Sequence, residues 1–384
     1  MNKTSYEKGT FGYDLEFMNT HKKPIILSDS SETARVMIVP GWQARVMTST
    51  ASGNKGFSYG WINYKLIESA TPAEHINAFG GEERFWLGPE GGPFSLYFAP
   101  GKDQEFANWY VPALLDTVAF EIIGSSHNKA VFAKKASLTN YSGNRFDFEI
   151  LRKIRLLSQS ETASNLRIVL PANILSVGYE TENIVTNIGA EPWTKKTGAL
   201  SIWMLSMLNP SPGVTVFLPY KNSDTKEAIV NDDYFGKVPA DRLVVQDSII
   251  WFKADGKYRS KIGLSPERAT ELCGSYDANN KALTILWRQL PESKSLYVNS
   301  KWGKQDDPFK GDVINSYNDG PVEDGTQMGP FYEIESSSPA CFLNSGEGLV
   351  HTQRIYHFEG SEEDLSEIAK KVFGISIHEI KKFK

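Results

Sequence analysis

The chain has 384 residues, 40% hydrophobic and 23% charged, with a net charge of −5. That balance supports a sizeable buried core and lacks the basic patch or stripe that a nucleic-acid partner requires. No apolar run reaches the length of a membrane span, so no membrane partner is expected. The two cysteines, Cys273 and Cys341, make neither a disulfide framework nor a zinc knuckle. Both are expected to pack as small hydrophobes. The first residues, Met1 to Glu7, have no apolar signal core, which points to the cytoplasm. A signal peptide replaced by a cloned Met would leave the same sequence, and the compartment would then be periplasmic.

In chain order, Ala34–Thr50 reads as a hairpin, with strands Arg35–Val39 and Ala44–Thr48 around Pro40-Gly41. Polar and aromatic loops follow. One is Gly60–Tyr64, with Trp61 and Asn63. Another is Glu82–Gly92, with Glu82, Glu83, Arg84, Trp86 and Glu90 among glycines that permit tight turns and close backbone approach. Arg84 has two readings: a clamp on sugar hydroxyls or a carboxylate, or a neutralising partner for its acidic neighbours. Residues 146–156 alternate. Phe146, Phe148, Ile150, Arg152, Ile154 and Leu156 share one face, the pattern of a half-buried strand.

Further strands are expected at Ser176–Thr186, Val214–Leu218, Leu243–Phe252 and Leu283–Gln289, separated by turn signals such as Asn209–Gly213. Lys261 reads either as a ligand clamp or as a solvated strand-end lysine. The loop Gly311–Pro321 carries Asp312, Asn315, Tyr317, Asn318 and Asp319, a set with donors and acceptors suited to sugar hydroxyls. Its carboxylate and amide oxygens also suit calcium, although the spacing is not that of an EF-hand; no other cofactor or metal is expected. Near the end, Ser361 can cap a helix over residues 362–373, with Asp364 at the capping-box position and Gly374 as its stop. Such a helix would cover the edge of a sheet. With no linker or repeat, the pattern predicts one domain over residues 1–384, its core spanning about 34–358: a large antiparallel β-sandwich with a short C-terminal helix.

Four segments in order resemble the aldose 1-epimerases and their galactose mutarotase-like relatives. They are the Ala34–Thr50 hairpin, Asn77–Gly81, Tyr179–Trp203, and Phe331–Glu335 followed by Leu343–Glu347. The second is similar to the family's Asn-x-x-His-Gly-Gly segment. The fourth is similar to an apolar strand that ends in a catalytic Glu. The likeness is strongest to an uncharacterised bacterial family of that superfamily, marked by Gly80–Gly92 and Asn315–Pro321. The resemblance implies the supersandwich fold and a small-molecule sugar or sugar acid as ligand.

Mutarotation needs a base for the anomeric hydroxyl and an acid for the ring oxygen, with pKa values pushed apart. The resemblance assigns the base to Glu335. Glu333 shares its strand face by alternation, and two carboxylates buried side by side raise the pKa of one. The family's acid is a His, but Phe79 and Trp203 stand at or near the two family His positions. Of the six histidines, His351 and His75 are the candidates to replace it. The aromatic residues, 12% of the chain, are expected mainly in the core, with Trp61, Trp86 and Trp203 as candidate platforms for sugar rings. The expected function is therefore carbohydrate binding, with the chemistry of a mutarotase-like sugar isomerase or a related carbohydrate-active enzyme that uses Glu335 as general base. The alternative is a non-catalytic carbohydrate-binding or structural module of a sugar-utilisation system.

Overall fold

The computed structural model describes residues 5–224, 227–291 and 295–383; Met1 to Thr4, part of the segment read for a leader, lie outside the described residues. The early strands are β1 (Ile25–Ser28), β2 (Arg35–Val39), β3 (Arg45–Thr50), β4 (Arg84–Gly88), β5 (Glu121–Ser125) and β6 (Lys129–Thr139). They are followed by β7 (Arg145–Leu157), β8 (Leu175–Asn187), β9 (Ser201–Leu208), β10 (Val214–Pro219), β11 (Leu243–Gln246) and β12 (Ile249–Lys253). The last are β13 (Ser260–Leu264), β14 (Leu272–Asp277), β15 (Ala282–Arg288), β16 (Ile314–Asn318), β17 (Tyr332–Ser337) and β18 (Gly348–Glu359). The helices are α1 (Phe11–His21), α2 (Tyr64–Ser69), α3 (Ala113–Asp116), α4 (Gln159–Leu166), α5 (Glu362–Phe373) and α6 (Ile377–Lys382).

All strand pairs are antiparallel, in a three-stranded sheet β1-β2-β3, a ten-stranded sheet β11-β12-β10-β14-β15-β18-β8-β7-β6-β5 and a five-stranded sheet β13-β16-β17-β9-β4. The largest cluster of buried apolar side chains draws on all three, as Val36, Phe85, Ile150 and Ile334 illustrate. The β7 alternation holds over its length, with Phe146, Phe148, Ile150, Arg152 and Ile154 all buried. The architecture is thus the expected large antiparallel β-sandwich.

Three local expectations change. The run 243–252 is a hairpin rather than one strand, because Asp247 and Ser248 adopt left-handed φ values of 52° and 61° and reverse the chain. The structure begins before residue 34: α1 and β1 precede the hairpin, and Phe11, Phe17 and Met18 bury against Met37, Val39 and Met47. At the other end, Ser361 accepts from the Asp364 backbone N–H and Gly374 ends α5 with φ 75°, as expected. However, α5 lies over a sheet face, not an edge. Leu365, Ile368 and Ala369 pack with Phe217, Leu283, Ile285 and Phe358, and α6 extends the cover through Ile377 and Ile380. That face of β15 is apolar on alternate residues and needs burial.

Candidate functional site

Register places the site. On the five-stranded sheet, Glu335 pairs with Asn315 and Leu205, and Glu333 with Tyr317 and Met207. Lys261 pairs with Tyr317, Arg84 with Leu205, and Trp86 with Trp203. Because side chains alternate, Arg84, Trp86, Trp203, Glu333, Glu335, Asn315 and Lys261 all project from one face. Loops close over it and contribute Glu90, Asp312, Tyr234, Trp109 and Trp302. Glu90, Asp312, Tyr234 and Trp302 keep some exposure at the rim, and this roofed cluster of charged and aromatic side chains is the candidate cleft, with the sheet as its floor.

Glu335 is fully buried on that floor. Its Oε2 accepts from Lys261 Nζ at 2.9 Å and from Trp203 Nε1 at 2.9 Å, while Oε1 has no partner. Lys261 sits over the Trp203 ring, 4.9 Å from its centroid, and is neither solvated nor at a frayed strand end. Burial works against its ammonium, but Glu335 and Glu90 outweigh that and hold its pKa above the ordinary value. Arg84 Nη2 donates to Glu333 Oε1, and the guanidinium lies 5.0 Å from the Trp86 ring centroid. It therefore pairs across the sheet rather than with Glu82 or Glu83. Burial pushes the Glu333 carboxyl up to about 7; Arg84 opposes the shift and Glu335 adds to it.

Two more acids line the walls. Asp312 Oδ2 accepts from Tyr234 Oη and from Asn231 Nδ2 at 3.2 Å, and Tyr234 Oη accepts from Asn315 Nδ2 at 3.0 Å. A Cβ on Gly263 would stand 2.1 Å from Asp312 Oδ2, so glycine there lets the acid approach the sheet. Glu90, on the loop after β4, faces Lys261 and the indoles of Trp302 and Trp109. Burial raises the pKa of both acids.

Other candidates lie elsewhere. Trp61 packs on Met207, Tyr317 and Phe331 at the far end of the same face. Asn63 caps α2, accepting from the Leu66 backbone N–H at 3.2 Å. Asn318 points to the opposite side of β16 from Asn315. Its amide accepts from Gly256 N at 2.8 Å and donates to Tyr258 O at 2.8 Å. Asp319 accepts from Tyr317 Oη at 2.7 Å and from Gly329 N at 3.0 Å. Asn315, Asn318 and Asp319 thus diverge, and do not form the calcium ligand set that their loop suggested. Among the described residues no group of three or more His, Cys, Asp or Glu side chains is placed to hold a metal ion.

His351 is separated from Glu335 by the sheet itself. Its Nε2 lies 2.8 Å from Oγ of Ser336, the neighbour of Glu335 that faces the other way. His75 Nδ1 lies 2.7 Å from Trp109 O, and its ring stacks on Phe106 and Tyr110 outside the cleft. Phe79 stacks on Trp42, with centroids 4.2 Å apart, in the cluster under α1. The sequence reading missed Tyr234, Asn231, Trp109 and Trp302, which come from loops distant in sequence and have no local pattern.

This fold is that of the galactose mutarotase-like proteins. A candidate aldose 1-epimerase from Escherichia coli K12 is similar to the chain at 10% identity and TM-score 0.50, over 87% of this chain and 98% of that one. The Slr1438 protein of Synechocystis sp. aligns at 12% identity and TM-score 0.50, over 88% and 96%. A galactose mutarotase-like protein from Lactobacillus casei aligns at 11% identity and TM-score 0.45, over 87% and 100%. The chain itself belongs to a family of unknown function, DUF6786, whose model matches residues 9–384. No curated protein matches the sequence. No helix among the described residues is long and apolar enough to cross a membrane.

Proposed function

We propose that the protein binds a sugar in this cleft and interconverts its anomers, with Glu335 as general base. The observation that carries this reading is the Glu335 carboxylate. One oxygen is fixed by Lys261 and Trp203, and the other is buried, unpartnered and on the cleft face. A carboxylate held in this way is poised to accept a proton from a hydroxyl placed above it. Trp86 and Trp203 pack edge to face on the same side of the sheet and would offer apolar surface to a sugar ring. The neighbours described above share the fold, and the E. coli one is described as an aldose 1-epimerase candidate; sugar chemistry reaches this chain by that analogy. Anomer interconversion followed by NMR over a panel of aldoses and uronates tests it. Glu335→Gln is expected to lower the rate by about 10²- to 10⁴-fold. A wild-type protein that accelerates none of them overturns the catalytic reading.

Binding without turnover is the second reading. It is favoured by the fate of the two family His positions: Phe79 is packed under α1, and the Trp203 indole is committed to Glu335. Under that reading, calorimetry finds sugar bound by the wild type, while neither it nor Glu335→Gln changes the anomer ratio any faster than buffer.

A further inference from the structure

The charges around the cleft do not balance. Four carboxylates surround Lys261: Glu335, which acts on both Glu333 and Glu90, and Asp312 on the wall, with Arg84 as the second cation. Both cations are already used: Arg84 pairs with Glu333, and Lys261 with Glu335. Glu90 is left facing the Trp302 and Trp109 indoles, and Asp312 is bonded by the neutral donors Tyr234 and Asn231. Neighbouring charges do not correct the excess. Arg45 is turned to the Gly80 and Asp116 carbonyls and to Gln43, at 2.8, 3.3 and 2.8 Å. Arg259 lies over Phe235 beside Tyr317, where Asp319 offsets it. Glu227, near Asp312, is paired with Lys310 and leaves the count unchanged.

We propose that the cleft selects a sugar that carries no anionic group, and favours one that carries an ammonium. This rests on the carbohydrate reading above. The unpartnered buried atoms on the cleft face fit the same ligand: Glu335 Oε1 is an acceptor and Trp86 Nε1 a donor, the pair a hydroxyl satisfies. Arg84 Nε is also unpartnered, but the charge of that guanidinium is already opposed by Glu333. An incoming uronate or sugar phosphate finds no free cation and meets two acids whose shared cation, Lys261, is already paired with Glu335. An ammonium finds both. A like charge several ångströms away in a partly dehydrated site weakens binding by about 10- to 100-fold.

The test is calorimetric titration at pH 7 with matched sets of gluco, galacto and manno configuration. Each set holds the aldose, its 2-amino-2-deoxy derivative, its uronate and its 6-phosphate. In the set that binds, the amino derivative is expected to bind tightest and the neutral sugar next. The uronate and phosphate should be weaker than the neutral sugar by about 10-fold or more. Glu90→Gln should narrow the gap between amino sugar and uronate, with Asp312→Asn as a second variant and thermal melts to confirm folding. A uronate or phosphate that binds as tightly as its neutral counterpart overturns this proposal and leaves the carbohydrate reading standing. Absence of binding by every set overturns both.

Discussion

The two faces of β17 both bury polar side chains, but they satisfy them differently. On the inner face, Ser336 Oγ donates to Gln353 at 2.6 Å, which leaves His351 Nε2–H to donate to Ser336. Gln353 Nε2 donates to Glu83 at 2.9 Å, Thr181 does so at 3.0 Å, and Arg152 Nη2 at 2.6 Å. Arg152 also reaches Asn183 Oδ1 at 2.6 Å and Ala44 O at 3.1 Å. Glu83 thus has a cation and neutral donors, and one negative charge meets one positive charge. On the cleft face, acids outnumber cations and an oxygen of Glu335 is left open. A paired buried charge specifies packing, whereas an unmatched excess of buried acid costs stability. The faces should therefore respond differently to substitution.

The largest contrast is in stability. Arg152→Met removes the only charged partner shown for a fully buried Glu83, and it should cost about 3–5 kcal/mol in urea unfolding. Glu335→Gln removes excess negative charge and keeps an acceptor for Lys261, so its cost should stay below about 1 kcal/mol. Equal losses in the two variants would erase the distinction between the faces.

The pH dependence of stability separates them next, and the two signs are opposite. Glu333 titrates near 7 in the folded protein, against an ordinary 4.5. Between those values the native state keeps a proton that the unfolded chain has lost, so stability falls as pH rises. Burial and the nearby Arg288 push His351 down to about 3, against an ordinary 6.5. Between pH 3 and 6.5 the unfolded chain holds the extra proton, so stability rises with pH. The two effects oppose each other from pH 4.5 to 6.5. Unfolding free energies measured at steps of pH should show that Glu333→Gln removes the fall toward pH 7, while His351→Gln removes the rise from pH 3. Slopes unchanged in both variants would mean that neither group titrates as its burial implies.

Much of this contrast could be read from alternation. The β7 pattern is strict enough to place Arg152 inward, and Glu333 and Glu335 share a face because two residues separate them. Alternation also carries Lys261 to the cleft, yet a lysine near a strand end reads equally well as solvated until register shows Glu335 beside it. Asn318 was placed with Asn315 because composition ignores odd and even positions. The helix α1 escaped notice because a polar residue, Asp14, occupies a core position, where Ser58 and Tyr64 bond it. Tyr234 and Trp302 had no signal at all. They reach the cleft only through tertiary folding of loops, and nothing local in sequence encodes which acid they face.

The smallest effect tests whether Trp203 belongs to the cleft's chemistry or only to its packing. Its indole N–H is one of two donors that hold Glu335 Oε2, and its ring lies under Lys261. Trp203→Phe keeps an aromatic face for Lys261 and removes one hydrogen bond to a carboxylate. Such a bond contributes about 1.5–3 kcal/mol. Loss of the donor leaves Glu335 Oε2 held by Lys261 alone and less firmly placed. Under the proposed reaction, the anomerisation rate should therefore fall about 10-fold, with sugar affinity nearly unchanged. A purely structural indole would instead change stability and affinity and leave the rate at saturating sugar where it was.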